Sequence, residues 1–320
     1  MKRVDVLSVA WLALAIGLTS WIGLDRTRTT HAQVAREKLA AGAQYGELPS
    51  GERGVVDANG VLVPVRPYQR IATMSTPSDA LGLALLEPER LVAMSNYGRR
   101  HHEAPYLYGE RMDVVGPQQL EMLVQQRIEL LVINHLGSAS ELARARESGI
   151  QVFNLGEMRG LTTLLPNIAA FSALIGEPER GEAFARKLVR RMHAVAADIP
   201  ASERKTAIYV SSYANQLFGG STGTSYHDVL LGAGLRDSAA EHGYTGWMHF
   251  DPERLVELDP ELVIAHDGTG QALCRVGGLE HLRACQHGGV IELSMELLSD
   301  PGPRMLEAAE ALRDRAYGPP

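Results

Sequence analysis

Rings, imidazoles and guanidinium groups crowd two stretches of this chain. Asn96, Tyr97, Arg99, Arg100, His101, His102, Tyr106 and Tyr108 follow an apolar run at Leu91–Ser95. Ser212, Tyr213, Asn215, Tyr244, Trp247, His249, His266 and Asp267 are scattered through the last third. Flat rings offer large contact at small entropic cost, and arginines or capped helix starts suit anionic groups. Such a set fits capture of a bulky molecule better than its chemical conversion. Each ring also has a plainer reading, because a loop tyrosine is more often half-buried packing than a ligand contact. Adjacent imidazoles point to opposite sides of an extended chain, so His101 and His102 are not expected to share a metal. We assign no catalytic residue and no resident cofactor. The chain has no phosphate-binding G-x-x-x-x-G-K, no nucleophile elbow and no H-E-x-x-H. Ser225, His227 and Asp228 fall in one helix start and face different ways.

The elements that must position these residues alternate between strand and helix. Strands are expected at Arg70–Met74, Leu91–Ser95, Asp113–Val115, Glu129–Asn134 and Gln151–Asn154, and again at Thr206–Ser211, Leu262–His266 and Val290–Leu293. Strands separated by helices imply mainly parallel sheets, and in such sheets ligands meet the loops after the strands' carboxyl ends. Those loops hold Thr76, Tyr97, Arg99, His101, His102, Asn134 and His135 in the first half, and Tyr213, Tyr244, Trp247 and His266 in the second. In Thr76-Pro77-Ser78-Asp79, Thr76 is expected to cap a helix that Asp79 closes with a capping box. Gly219 to Gly223 reads as a turn, after which Ser225 caps a helix with Asp228 in capping-box position. Asn59-Gly60 reads as a tight hairpin turn within Val55–Val65.

One segment occurs twice. Gln119-Leu120-Glu121-Met122-Leu123-Val124 leads into Ile128–His135, and Asp251-Pro252-Glu253-Arg254-Leu255-Val256 leads into Pro260–His266. One offset superposes Glu121 on Glu253, Leu123 on Leu255, Val124 on Val256, Glu129 on Glu261 and Leu130 on Leu262. Each copy reads as a short helix, a tight turn and a buried strand. Between the copies, residues 161–200 are helical with one break at Gly176-Glu177-Pro178. Phe184, Leu188, Val189, Met192, Val195, Ala196 and Ile199 form one apolar stripe there. The expected architecture is therefore two α/β lobes with mainly parallel sheets, residues 55–160 and 201–320, joined by a long helix with a ligand cleft between them. Glu121 and Glu253 sit in first turns, where the helix dipole alone would favour an acid. Their matching positions also make a paired handle for a symmetric basic partner.

Residues 1–25 carry Lys2, Arg3 and an apolar run from Val6 to Leu24, which reads as an export signal or a retained membrane anchor. Either places the rest of the chain outside the cytoplasm. No cysteine follows the run closely, so a lipidated N-terminus is not expected. Residues 26–54 read as a polar tether. The net charge of −7 over 320 residues, with both signs interspersed, argues against nucleic acid as the main partner. Cys274 and Cys285 most simply form one disulfide in an oxidising compartment. A metal site using His281 or His287 is the rival reading.

The capped turn Ser75–Asp79, the lobe strands, the linking helix and the repeated segments together resemble the periplasmic substrate-binding proteins of type II ABC importers. These serve cobalamin, ferric siderophores and haem. The resemblance runs from about Val55 to Arg315. It implies two lobes with little closure and a cargo that brings its own chelated iron or cobalt. It also implies docking of Glu121 and Glu253 onto arginines of a permease dimer. Tyr97 matches a pocket tyrosine of the cobalamin-binding member. Trp247 matches an aromatic six residues before the second glutamate; the equivalent before the first is Val115. A membrane-anchored sensor or interaction module on the same fold is the alternative.

Overall fold

A computed structural model describes residues 42–318 other than 103, 115, 117, 118, 135, 136 and 215. The N-terminal apolar run expected to be a signal or anchor, Val115 and His135 lie outside the described residues. Strands β1 (Tyr45–Glu47), β2 (Arg53–Val56) and β3 (Leu62–Pro64) form a small antiparallel sheet. Residues 45–54 are thus strand and turn rather than tether. The β2–β3 connection is wider than a two-residue turn. Only Gly60 in it has positive φ, and Asp57 Oδ1 accepts from the N–H groups of Asn59 and Val61, both at 2.8 Å. A side-chain acceptor has replaced the second left-handed residue.

The first lobe comprises β4 (Ile71–Thr73), α1 (Thr76–Leu85), β5 (Leu91–Ser95), α2 (Asn96–His101), β6 (Met112–Val114), α3 (Leu120–Gln125), β7 (Leu130–Ile133), α4 (Ala139–Glu147) and β8 (Gln151–Asn154). All pairings are parallel, in the order β6-β5-β4-β7-β8. The strand order reverses at β4, and a crevice opens outside the carboxyl ends at that point. The cap of α1 falls one residue earlier than expected. Ser75, not Thr76, is the N-cap, and Ser78, not Asp79, closes the capping box. Asp79 turns inward, where Thr73 and Ser95 both donate to it.

Helices α5 (Leu161–Leu174) and α6 (Pro178–Val195) form the spine. Eighteen residues make α6 about 27 Å long. Its stripe is buried as patterned, with Leu188 and Met192 inside and Phe184, Val189 and Val195 packed on the core. The second lobe follows with β9 (Thr206–Tyr209), β10 (Ser211–Tyr213), β11 (Gln216–Gly220), α7 (Ser225–Gly232), β12 (Arg236–Asp237), α8 (Ser238–Glu241), β13 (Trp247–Phe250), α9 (Pro252–Leu258), β14 (Leu262–His266), α10 (Gly270–Leu273), α11 (Arg283–Gln286), β15 (Val290–Leu293), α12 (Met295–Leu298) and α13 (Met305–Tyr317). Its parallel sheet runs β12-β9-β14-β15, beside a separate antiparallel sheet β10-β11-β13. The expected strand at Thr206–Ser211 therefore splits between two sheets. Gly219 and Gly220 belong to β11 rather than to a turn. Thr224, not Ser225, caps α7.

One hydrophobic cluster runs from Ile71 and Leu85 through Leu164, Phe171 and Leu188 to Leu230 and Leu312. The opposite sheet faces carry separate clusters, one under α3 and α4, the other under α9. A core shared by both lobes and the spine resists hinge motion, because packed interiors do not deform continuously. Each lobe is also fastened by a buried charge. Arg90 donates to Glu177 (2.6 Å), Glu87 (3.0 Å) and the Tyr68 carbonyl (2.7 Å), tying the first lobe to the α5–α6 turn. Asp228 Oδ2 accepts from the Leu161 N–H at 2.7 Å, tying α7 to the start of α5. The cap of α7 is closed by Thr224 and His227 N–H, and Asp228 reaches across to α5 instead of closing a capping box with Ser225. Gly160 (φ 146°) lies against Asp228, and a Cβ there would come 2.3 Å from the carboxylate. Cys274 and Cys285 are joined as a disulfide. No described helix is long and apolar enough to cross a membrane.

Candidate ligand-binding cleft

The first-lobe wall is set by the carboxylate of Asp79. It accepts from the Thr73 hydroxyl (2.5 Å), the Ser95 N–H (3.1 Å) and the Ser95 hydroxyl (2.5 Å). These bonds join the ends of β4 and β5 to α1. Burial pushes the Asp79 carboxyl up to about 6, while the Ser95 and Thr73 bonds pull it down. Ser95 then caps α2, and Tyr97 and His101 stack on its outer side with ring centroids 4.3 Å apart. The Tyr97 side chain stands over half exposed beside Thr76 and His102.

The second-lobe wall is a shelf of rings. Tyr209 and Tyr226 stack at 3.7 Å, and Trp247 lies 5.5 Å from Tyr226 and 6.3 Å from Phe218. The glycine pair in β11 makes room for the shelf. A Cβ on Gly219 would meet Phe250 at 2.3 Å, and one on Gly220 would meet Tyr226 at 2.7 Å. Tyr209 Oη and His266 Nε2 are 2.6 Å apart, and burial holds the imidazole's pKa below its usual value. Trp247 keeps 52% of its surface exposed, so the shelf presents a face. Tyr226 donates to Ser299 Oγ at 3.3 Å, linking the shelf to the floor.

Between the lobes lies a pocket of about 160 Å³ lined by Thr76, Tyr97, His101 and His102 from one lobe and Met295, Glu296, Ser299, Asp300 and Arg304 from the other. Four expected residues thus meet in one place; Trp247 is not among the residues that line it, and its shelf is linked to the pocket through the Tyr226–Ser299 bond. Others do not join them. Arg99 directs its guanidinium to Asp113 and to the carbonyls of Gly109 and Arg111, so it braces its own loop instead of offering free donors. His266 is 7% exposed and supports Tyr209 from behind. Tyr244 packs edge-on against Phe250 and under Arg254. Here the packing reading of a loop ring prevails. Tyr213 stands exposed near the tip of the β10–β11 hairpin, and Asn134 is half-buried just after β7. His101 Nδ1 contacts the Tyr97 carbonyl and His102 Nδ1 accepts from the Ala104 N–H, so the two imidazoles diverge. Among the described residues no group of three or more His, Cys, Asp or Glu is placed to hold a metal.

Sequence reasoning missed Met295, Glu296, Ser299 and Asp300. They follow β15, whose carboxyl end obeys the rule that located the other loops. It also missed Phe218, Tyr226 and Tyr209 as the base of the shelf. Tyr226 was hidden inside a helix start.

On the outer faces, Glu121 and Glu253 are both exposed in the first turns of α3 and α9. Leu123 and Leu255 beneath them are fully buried, while Val124 and Val256 are 44% and 42% exposed. The repeat extends into the backbone. Arg127 and Asp259, at the same offset, both adopt left-handed φ of 52° and 32°, which is uncommon outside glycine. Glu129 accepts from the Arg70 N–H (3.2 Å) and Glu261 from the Thr206 N–H (2.8 Å), so each ties its own strand to the start of its lobe's first parallel strand.

Known proteins share this arrangement. The model of the family described as periplasmic binding protein matches residues 71–297. An uncharacterized ABC transporter substrate-binding lipoprotein of Bacillus subtilis (strain 168), YvrC, is 25% identical over 199 residues. That match spans 58% of this chain and 62% of the relative, so the chain spans less than two thirds of the relative's length. Among solved structures, the periplasmic haem-binding protein BhuT in complex with two haems matches with a TM-score of 0.62 and 20% identity, over 77% of this chain and 97% of that one. A possible iron-binding periplasmic solute-binding protein from Staphylococcus epidermidis ATCC 12228 gives a TM-score of 0.66 at 15% identity, over 78% and 99%. The apo form of RhuT from Roseiflexus sp. RS-1, a periplasmic haem-binding protein, gives 0.62 at 18% identity, over 78% and 99%. At these identities the structures speak for the fold. Two lobes on a helical spine and a family match across both lobes lead to one conclusion: this chain belongs to the periplasmic binding protein family.

Proposed function

We propose that this protein captures a metal chelate in its interlobe cleft and delivers it to the permease of an ABC importer. The observation that carries the reading is the pocket that brings Tyr97, His101 and His102 of one lobe together with Met295, Ser299 and Arg304 of the other, with the ring shelf of Trp247 tied to it through the Tyr226–Ser299 bond. The chelate brings its own iron or cobalt, and the protein binds without chemistry. Rings supply contact area, and the few polar groups between them set orientation. The similar folds of a haem-binding and a possible iron-binding periplasmic protein support this cargo class. The two exposed acids fit docking on a symmetric basic surface outside the cytoplasm.

The test is quenching of tryptophan fluorescence by haemin, cobalamin and a panel of ferric siderophores, with Trp247→Phe as the control. Saturable quenching by at least one chelate, lost in Trp247→Phe, is expected. No saturable binding of any of them by calorimetry would sink the proposal.

A further inference from the structure

A second hollow adjoins the cleft pocket. It measures about 340 Å³ and is walled by α1, the spine helix α6 and α13. Thr76, His102 and Arg304 line both hollows, so the two are continuous. From Thr76 the groove follows α1 to Ala84, about 12 Å of helix. Its walls are apolar where the cleft pocket is polar. Ala80, Leu83 and Ala84 of α1 face Phe184 and Leu188 of α6 and Leu306 of α13. Leu83, Ala84 and Phe184 are only partly covered, and Leu107, which also lines the groove, is 38% exposed. Ala80 and Ala84 lie one turn apart on the same face of α1, and their small side chains keep open a space that larger ones would fill.

Charge and size narrow the occupant. The ions at the groove's edge are largely spent on one another. Arg191 pairs with Glu310 at 2.5 Å, and Arg304 with Glu307 at 3.3 Å. Lys187 also lines the groove and has no partner among the described residues, so the surplus is positive. A cationic arm is disfavoured there, and an uncharged or anionic chain is not. Small-molecule sites commonly hold about 300–1,000 Å³. The groove reaches that range, and the cleft pocket, at about 160 Å³, does not. Together they suit a guest with a polar head and an apolar tail.

We propose that this groove receives an aliphatic chain of the cargo, so that the guest is an acylated chelate whose tail of about eight carbons lies along α1. The polar head then sits at the cleft end, where Thr76, His102 and Arg304 are shared by both hollows. This inference rests on the chelate-capture reading above and adds the site of the tail to it.

The experiment compares N-octanoyl with N-acetyl ferrioxamine B, which share one ferric core and differ only in chain length, by calorimetry on the full chain. Dansylaminoundecanoic acid, a fluorescent fatty acid, probes the groove without any chelate. The octanoyl compound is expected to bind at least about tenfold more tightly than the acetyl compound. The fluorescent probe is expected to bind saturably. Ala84→Trp fills the groove, and Leu107→Glu sets a charge in its wall at an exposed position. Each should bring the two ferrioxamines within about twofold and weaken the probe at least about tenfold. Equal affinities of the two ferrioxamines in the wild type, a preference that survives both variants, or no saturable binding of the probe would overturn the inference. Chelate capture would still stand if any chelate bound. Probe binding that is lost in the variants, with neither ferrioxamine, haemin nor cobalamin bound, would uphold the groove and remove the capture reading. Leu107→Glu keeps the test open even if Ala84→Trp folds poorly.

Discussion

The two lobes are alike outside and unlike inside. On the outer faces, α3 and α9 repeat a buried leucine, an exposed valine, an exposed first-turn glutamate and a left-handed residue at one offset. In the cleft, the first lobe offers a short helix with one stacked Tyr–His pair, and the second offers an antiparallel sheet with a shelf of rings. A partner that reads both outer faces alike must itself be close to two-fold symmetric. A cargo that touches both inner faces need not be symmetric at all. The likeness between the lobes is thus confined to their outer helices, and the inner faces differ in both sheet type and ring content.

That contrast can be broken in three ways. The largest effect is expected from Glu121→Ala combined with Glu253→Ala. Uptake driven by the cognate importer should fall to background, while chelate affinity measured by calorimetry stays within about twofold. Unchanged uptake would show that the repeated acids are only helix-dipole partners. Next, Trp247→Ala should weaken chelate binding by about 1.5–3 kcal/mol, and Tyr97→Ala by less, because Trp247 is the larger ring and is backed by three others. Equal losses would mean that the walls contribute alike despite their different construction. The smallest effect concerns the two clamps on the spine. Asp228→Ala should lower unfolding stability in urea by about 1–2 kcal/mol, since it removes the acceptor at the start of α5. Arg90→Ala should cost about 2 kcal/mol, leaving Glu177 without its shortest ion pair. If either variant were neutral, that lobe would be held by core packing alone.

Much of the fold was legible in the sequence. The strands at Leu91–Ser95, Gln151–Asn154, Leu262–His266 and Val290–Leu293 fall where apolar runs place them. The spine follows its stripe, and the repeat located both outer helices. Caps were misplaced by one residue at Ser75 and Thr224, because Thr76 and Ser225 are equally good capping residues and only backbone geometry separates the neighbours. The site was half legible. Thr76, Tyr97, His101 and His102 meet at one pocket as the loop rule expects, Trp247 opens an antiparallel strand instead of a loop, and Arg99, Tyr244 and His266 make structural contacts.

The sequence by itself determined the periods: which residues are strand, which helix, and that one unit recurs. Those signals are local, since a side chain's facing repeats every two or 3.6 residues along its own element. Only the tertiary structure decided that Asp79 grips Ser95, that Asp228 reaches Leu161 across the spine, and that Asp300 closes a pocket opened by Thr76. Each joins groups on different elements, two of them more than sixty residues apart, and no periodicity records which distant partner a buried polar atom will find.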